Sequence, residues 1–166
     1  LRQPGSEAEH ELLLMSLLSQ SDLKFKIVDK PPRFLMPKQG LLFLGNAEWM
    51  AVMPELNRSR MYTVANAMSE QHKLPQGIKF CDVQVLYLAD WPEVLQAYAQ
   101  EPVNLSYQRL IAFGGDAWHI TQQYLSQPRL QTIEFQGRTG RIQITEHGVQ
   151  RTPQCFQYSG TGVKLL

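Results

Sequence analysis

Residues 40–67 read GLLFLGNAEWMAVMPELNRSRMYTVANA, and the fold follows from how that stretch divides. Leu41, Leu42, Phe43 and Leu44 form an unbroken apolar run closed by Gly45 and Asn46, the pattern of a strand buried on both faces of a parallel sheet. Trp49, Met50, Met53 and Leu56 then recur on one face of a helix, in spite of Pro54. Met61 to Val64 is a second short strand ending at Ala65 and Asn66. Strand, helix and strand in this order make a βαβ unit, so the class is α/β with a mainly parallel sheet flanked by helices.

Working outward, Ser6 and Glu9 have capping-box spacing ahead of Leu12, Leu13, Met15, Leu17 and Leu18, which predicts a helix over about 7–19. Phe25, Ile27 and Val28 read as a short extended segment, and Pro31, Pro32 and Pro37 bar a helix before Gly40. Lys24, Lys26, Lys30, Arg33 and Lys38 cluster here and, with net charge near zero, read as a solvated connection in preference to a phosphate-binding surface. Downstream, Ile78, Phe80, Val83, Val85 and Leu86 suggest a third extended stretch. Asp90, Pro92 and Glu93 mark a helix start. Over 107–125, Leu110, Phe113, Ala117, Ile120 and Tyr124 line one helical stripe, broadened by Ile111, Trp118 and Leu125. Gly114 and Gly115 interrupt it, at about 1 kcal/mol each relative to Ala, which close packing of another backbone would explain. After Pro128 the pattern becomes alternation, with Ile133, Phe135 and Gly137 on one side. Gly140 to Thr145, Cys155 to Tyr158 and Val163 to Leu166 also read as strands, with turns at 137–140 and 147–148.

The 166 residues carry a formal charge of +1, far from the basic balance of a nucleic-acid binder. No apolar stretch approaches the roughly 20 residues that cross a bilayer. Leu1 is neither an initiator Met nor the head of a signal segment, which reads as the start of an excised piece. Gly40 and Gly45 have P-loop spacing, but Asn46 stands where Lys is needed and Ala47 where Ser or Thr would hold magnesium. No dinucleotide, serine-hydrolase or zinc-protease motif occurs, and neither a metal site nor a cofactor is implied.

Open parallel sheets bind ligands beyond the carboxyl ends of their strands. That rule nominates Asn46 and Glu48 after the first strand and Asn66 and Met68 after the second as ligand-cleft residues. Helix capping by Asn46 and turn formation by Asn66 are the competing structural roles. A thiol enzyme would use Cys81 with His72, His119 or His147. His119, in an apolar helix, reads as a packed structural residue, His10 as exposed, and Asp116 as a group that orients local backbone rather than an acid or base. The two cysteines, Cys81 and Cys155, could pair or both be free.

From about Gln39 onward the order of segments resembles the second half of a type I periplasmic ligand-binding protein. Gly77-Ile78-Lys79-Phe80-Cys81-Asp82 and Tyr107-x-Arg109-Leu110-x-Ala112-x-Gly114-x-Asp116-Ala117-Trp118 resemble the LppC family of penicillin-binding protein activators. Met53-Pro54-Glu55-Leu56 is similar to a helix of that family, while Phe135-x-Gly137-x-Thr139-Gly140-x-Ile142 is shared more widely among type I binding proteins. The resemblance divides the chain into an N-terminal helix with a Pro-rich connection, 1–38, and half of a binding-protein-like domain, 39–166. It implies a noncatalytic lipoprotein of the periplasm, anchored at the outer membrane, that binds and activates a bifunctional class A penicillin-binding protein, a peptidoglycan synthase. Membrane attachment would come only through a lipid anchor outside this chain. The alternative is a module that binds or senses a small solute. The resemblance also implies a Cys81–Cys155 disulfide, which on a loop of about 75 residues contributes roughly 4 kcal/mol. If the first lobe of the fold is absent, the resemblance implies that the helix at 106–126 loses the sheet it covers in the family; either the remainder was removed, or the exposed apolar surface is masked by a partner chain or a dimer mate.

Overall fold

The computed structural model describes residues 1–20, 24–53, 60–69, 72–88, 104–129 and 131–166. The helix start at Asp90 to Glu93 and the helical position Leu56 lie outside the described residues. The elements are α1 (Glu7–Gln20), β1 (Leu41–Phe43), α2 (Ala47–Ala51), β2 (Met61–Thr63), β3 (Lys79–Asp82), α3 (Leu105–Ser126), β4 (Ile133–Gly137), β5 (Gly140–Thr145), β6 (Gly148–Thr152), β7 (Gln154–Tyr158) and β8 (Val163–Leu165). One sheet has the order β1-β2-β3-β7-β8 and a second the order β4-β5-β6. The fold is α/β, with β1 parallel to β2 and β2 parallel to β3.

Two compact units divide the chain, Leu1–Phe80 with Gln157–Lys164, and Cys81–Phe156 with Leu165–Leu166. In the first, the βαβ reading holds. Leu41 pairs with Met61 and Phe43 with Thr63, and the buried Thr63 hydroxyl donates to the Phe43 carbonyl at 3.1 Å. Phe43, Met50, Ile78 and Phe80 form the core, and the Trp49 ring meets Phe43 edge to face at 6.3 Å. The helix is shorter than its apolar period suggests, ending as α2 at Ala51. The extended segment read at Phe25 to Val28 forms no strand.

In the second unit, α3 spans the predicted helix and is capped by Asn104, whose Oδ1 accepts from the Tyr107 amide at 3.1 Å. Of the predicted apolar stripe, Ile120 packs inward while Leu110, Phe113, Ala117 and Tyr124 do not. Ala112 and Asp116 are buried, whereas Leu110, Ile111, Phe113, Trp118, Tyr124 and Leu125 are exposed. The reason is electrostatic. The Asp116 carboxylate, 1% exposed, accepts the Arg138 amide at 2.7 Å, the Thr139 amide at 2.9 Å and the Thr139 hydroxyl at 2.6 Å. Three donors from the β4–β5 turn meet one carboxylate, which turns that side of α3 inward. Gly137 makes the approach feasible, since a Cβ there would stand 2.7 Å from Asp116 Oδ2. The paired glycines do not admit another backbone: Gly115 faces the Arg138 side chain and Gly114 faces open space. Phe113 lies under the Arg151 guanidinium at 4.9 Å.

The hairpin follows its alternation. Ile133 pairs with Ile144 and Phe135 with Ile142, and Ile133, Ile142 and Ile144 form a cluster joined by Ile120 and Phe135. The turn leaves through Gly140 at φ +127°, where any Cβ would strike the Thr152 carbonyl. β6 pairs with β5 but is exposed throughout, which is why apolar patterning missed it. Val83 to Leu86 does not continue β3, because Gln84–Leu86 closes into a short turn of 3-10 type.

Asp116→Asn should lower stability by about 3 kcal/mol, the scale for stranding buried partners of a carboxylate. Glu134→Gln, which breaks an exposed pair with Arg141, should cost under about 1 kcal/mol. Urea midpoints measure both, and equal costs would contradict the clamp.

Candidate functional site

Because β1 and β2 run side by side, their following loops emerge together. The chain start joins them: the Leu1 nitrogen donates to the Leu42 carbonyl at 2.7 Å, Leu44 N donates to the Leu1 carbonyl at 2.8 Å, and Gln3 N donates to the Leu44 carbonyl at 2.7 Å. This parallel alignment brings Gln3 to the strand ends, where its Oε1 accepts the Asn46 amide at 2.9 Å. Gly45 permits it, since a Cβ there would lie 2.7 Å from Gln3 Oε1. A cavity of about 250 Å³ opens between these loops and the start of α1.

Of the four sequence-nominated residues, Asn46 and Asn66 line this cavity, and Glu48 and Met68 do not. Asn46 also caps α2, its Oδ1 accepting the Trp49 amide at 2.8 Å, so the structural role exists beside any ligand role. The turn at Ala65–Ala67 is closed by backbone bonds rather than by the Asn66 side chain. Gln3, Ser6, Glu9 and His10 also line the cavity, and sequence reasoning missed them because nothing in the pattern shows the chain start returning along β1.

His10 is buried, at 7% exposure, rather than solvent-facing. The expected capping box is replaced by a relay. Ser6 Oγ donates to the Gln3 carbonyl at 2.7 Å, and His10 Nδ1 lies 3.0 Å from both Ser6 Oγ and the Ser6 carbonyl. With the hydroxyl proton given to Gln3, Nδ1 is the donor of the imidazole. The cavity therefore offers side-chain amides, the Glu9 carboxylate and one imidazole, a lining for a small polar molecule. A larger, open depression of about 510 Å³ lies along α3 against Trp118, His119, Gln122 and Leu125. There the His119 ring packs against Phe135, tilted by 45° at 4.5 Å between centroids, as a packed structural residue.

Two further clusters are structural rather than reactive. Cys81 and Cys155 form a disulfide, which removes the thiol that an enzyme built on Cys81 requires. Asp82 is buried and takes a two-point contact from Arg109, Nε to Oδ1 at 2.9 Å and Nη2 to Oδ2 at 2.8 Å, while the Tyr87 hydroxyl donates to Oδ2 at 2.7 Å. Burial, and then the Asp82 charge, push the Tyr87 hydroxyl far above its ordinary range. Burial pulls the Arg109 guanidinium down, but its bonds to Asp82 outweigh that and the net shift is upward. A carboxylate saturated by its own protein has no lone pair to spare for a substrate. Among the described residues, no three His, Cys, Asp or Glu side chains converge in a way that could hold a metal ion.

No protein-family model matches the chain. Over 93 residues it is 31% identical to the penicillin-binding protein activator LpoA of Edwardsiella ictaluri, a match covering 55% of this chain and 14% of that protein. The LpoA of Edwardsiella piscicida matches at 31% over 84 residues, 50% of this chain and 12% of that protein. The chain thus spans about one seventh of these curated relatives. Among solved structures, the LpoA C-domain from Haemophilus influenzae, described as a regulator of PBP1A, superimposes with a TM-score of 0.58 at 17% identity, over 76% of this chain and 44% of that one. Full-length LpoA from the same organism gives 0.58 at 17% identity, over 76% of this chain and 26% of that one. The chain is similar to a C-terminal piece of LpoA in sequence and in fold.

Because the Tyr87 shift is upward, the stability it contributes is complete below about pH 10 and is lost as pH rises further, when the unfolded chain ionises and the folded one does not. Tyr87→Phe should flatten the alkaline fall of the urea midpoint. An equally steep fall in the variant would contradict the triad.

Proposed function

We propose that this chain is part of a noncatalytic regulator of peptidoglycan synthesis that binds and activates a bifunctional class A penicillin-binding protein in the periplasm. Residues 39–166 supply the second half of a binding-protein-like domain, carried by a longer lipoprotein anchored at the outer membrane. The 31% identity with an LpoA over 93 residues carries the reading. The outward apolar face of α3, with Leu110, Ile111, Trp118 and Leu125 exposed, supports it, as contiguous apolar surface of this kind is commonly covered by another polypeptide segment or partner. The disulfide fits an oxidising compartment.

Activation by contact is a population shift. The regulator must hold the synthase's active conformation more tightly than its resting one, because equal affinity for both changes nothing. No residue of the regulator takes part in bond chemistry under this mechanism.

A second reading, a small-solute binding or sensing module, rests on the cavity lined by Asn46, Asn66 and His10. The two separate cleanly. The immobilised chain should retain a class A penicillin-binding protein from an envelope extract and raise its glycan polymerisation in a purified assay, with no thermal shift from amino acids or sugars. Stabilisation by such solutes without retention of the synthase would overturn the first reading in favour of the second.

A further inference from the structure

The segment 24–38, KFKIVDKPPRFLMPK, carries five cations and one acid in a chain whose formal charge is only +1. A solvated connection explains the charges but not the side chains between them. Phe34 is 74% exposed, Met36 57%, Ile27 53% and Phe25 40%. Among the described residues, none of the five cationic side chains forms an ion pair. The presentation is built rather than loose at its far end. Arg60, at the entry to β2, donates from Nη1 to the Met36 carbonyl at 2.6 Å and from Nη2 to the Leu35 carbonyl at 3.4 Å. Met36 N is held by Gln39 Oε1 at 3.0 Å. Leu35 is half-buried while its neighbours Phe34 and Met36 face solvent.

We infer that this segment is an interfacial binding surface for a membrane rich in anionic lipid. Cations draw it to the headgroups and the four apolar side chains enter the boundary beneath them, the two contributions that set interfacial affinity. A lipid surface suits the segment better than a protein groove does. Pro31, Pro32 and Pro37 deny it a repeating face, and cations and exposed apolar side chains are interspersed along a segment with no helix or strand, so the cohesive contact must be one that needs no shape complement. This attachment is additional to synthase binding and does not rest on it.

Flotation with vesicles of equal parts phosphatidylglycerol and phosphatidylcholine tests the surface, using the whole 166-residue chain. The chain should float with these vesicles, remain behind with pure phosphatidylcholine, and be released at about 1 M salt, where the Debye length is about 3 Å. Replacing Lys24, Lys26 and Lys30 together by Gln should weaken partition about a hundredfold, roughly fivefold per cation. Phe34→Ala combined with Met36→Ala should weaken it at least about tenfold, with thermal unfolding unchanged because both side chains are exposed. Equal partition into both vesicle types, or into neither, would overturn the inference. So would poly-glutamate binding that is as tight as vesicle binding and indifferent to the Phe34 and Met36 changes, which would mark a polyanion site.

Discussion

One buried carboxylate organises the second unit. Asp116 takes two amides and a hydroxyl from the β4–β5 turn, and each of those donors would be stranded from water without it. A net hydrogen bond to a charged group contributes about 1.5–3 kcal/mol, so this contact outweighs the burial of any one of the apolar residues on the opposite face of α3. The helix therefore presents Ala112 and Asp116 to the hairpin and leaves Leu110, Trp118 and Leu125 in solvent. Gly137, which admits the carboxylate, is a consequence of the same contact.

The same logic recurs at Asp82, where a buried carboxylate is saturated by Arg109, Tyr87 and the adjacent Val83 amide. Beside it in sequence, the Cys81–Cys155 disulfide spans 74 residues. Polar clamps and a covalent tie thus hold a unit whose apolar cluster is small. The carboxylates of Asp82 and Asp116 and both cysteines are thus spent on structure.

Much of this was legible in the sequence, and the parts that were not share a cause. The βαβ unit was readable because Leu41 to Leu44 is apolar without a break and Met61 to Val64 is a short β-prone run, buried at Met61 and Thr63 and exposed at Tyr62. The span of α3 was readable from its period. Its orientation was not, because periodicity weighs Leu110 and Phe113 above Ala112 and Asp116 and cannot register a carboxylate meeting a turn. β6 was invisible because all five of its residues are exposed. At the candidate cavity the strand-end rule found Asn46 and Asn66, while Gln3 and His10 depended on the chain start aligning along β1, a long-range pairing with no local signature. The cysteines alone left pairing open, and family resemblance supplied what their spacing could not.

Native-state hydrogen exchange at the Arg138 and Thr139 amides tests the organising contact most directly. These two amides belong to a turn, yet with Asp116 as acceptor they should be protected on the scale of the β5 strand and lose that protection in Asp116→Asn. Exchange as rapid as that of the Glu146 and His147 amides in the neighbouring turn would contradict the account.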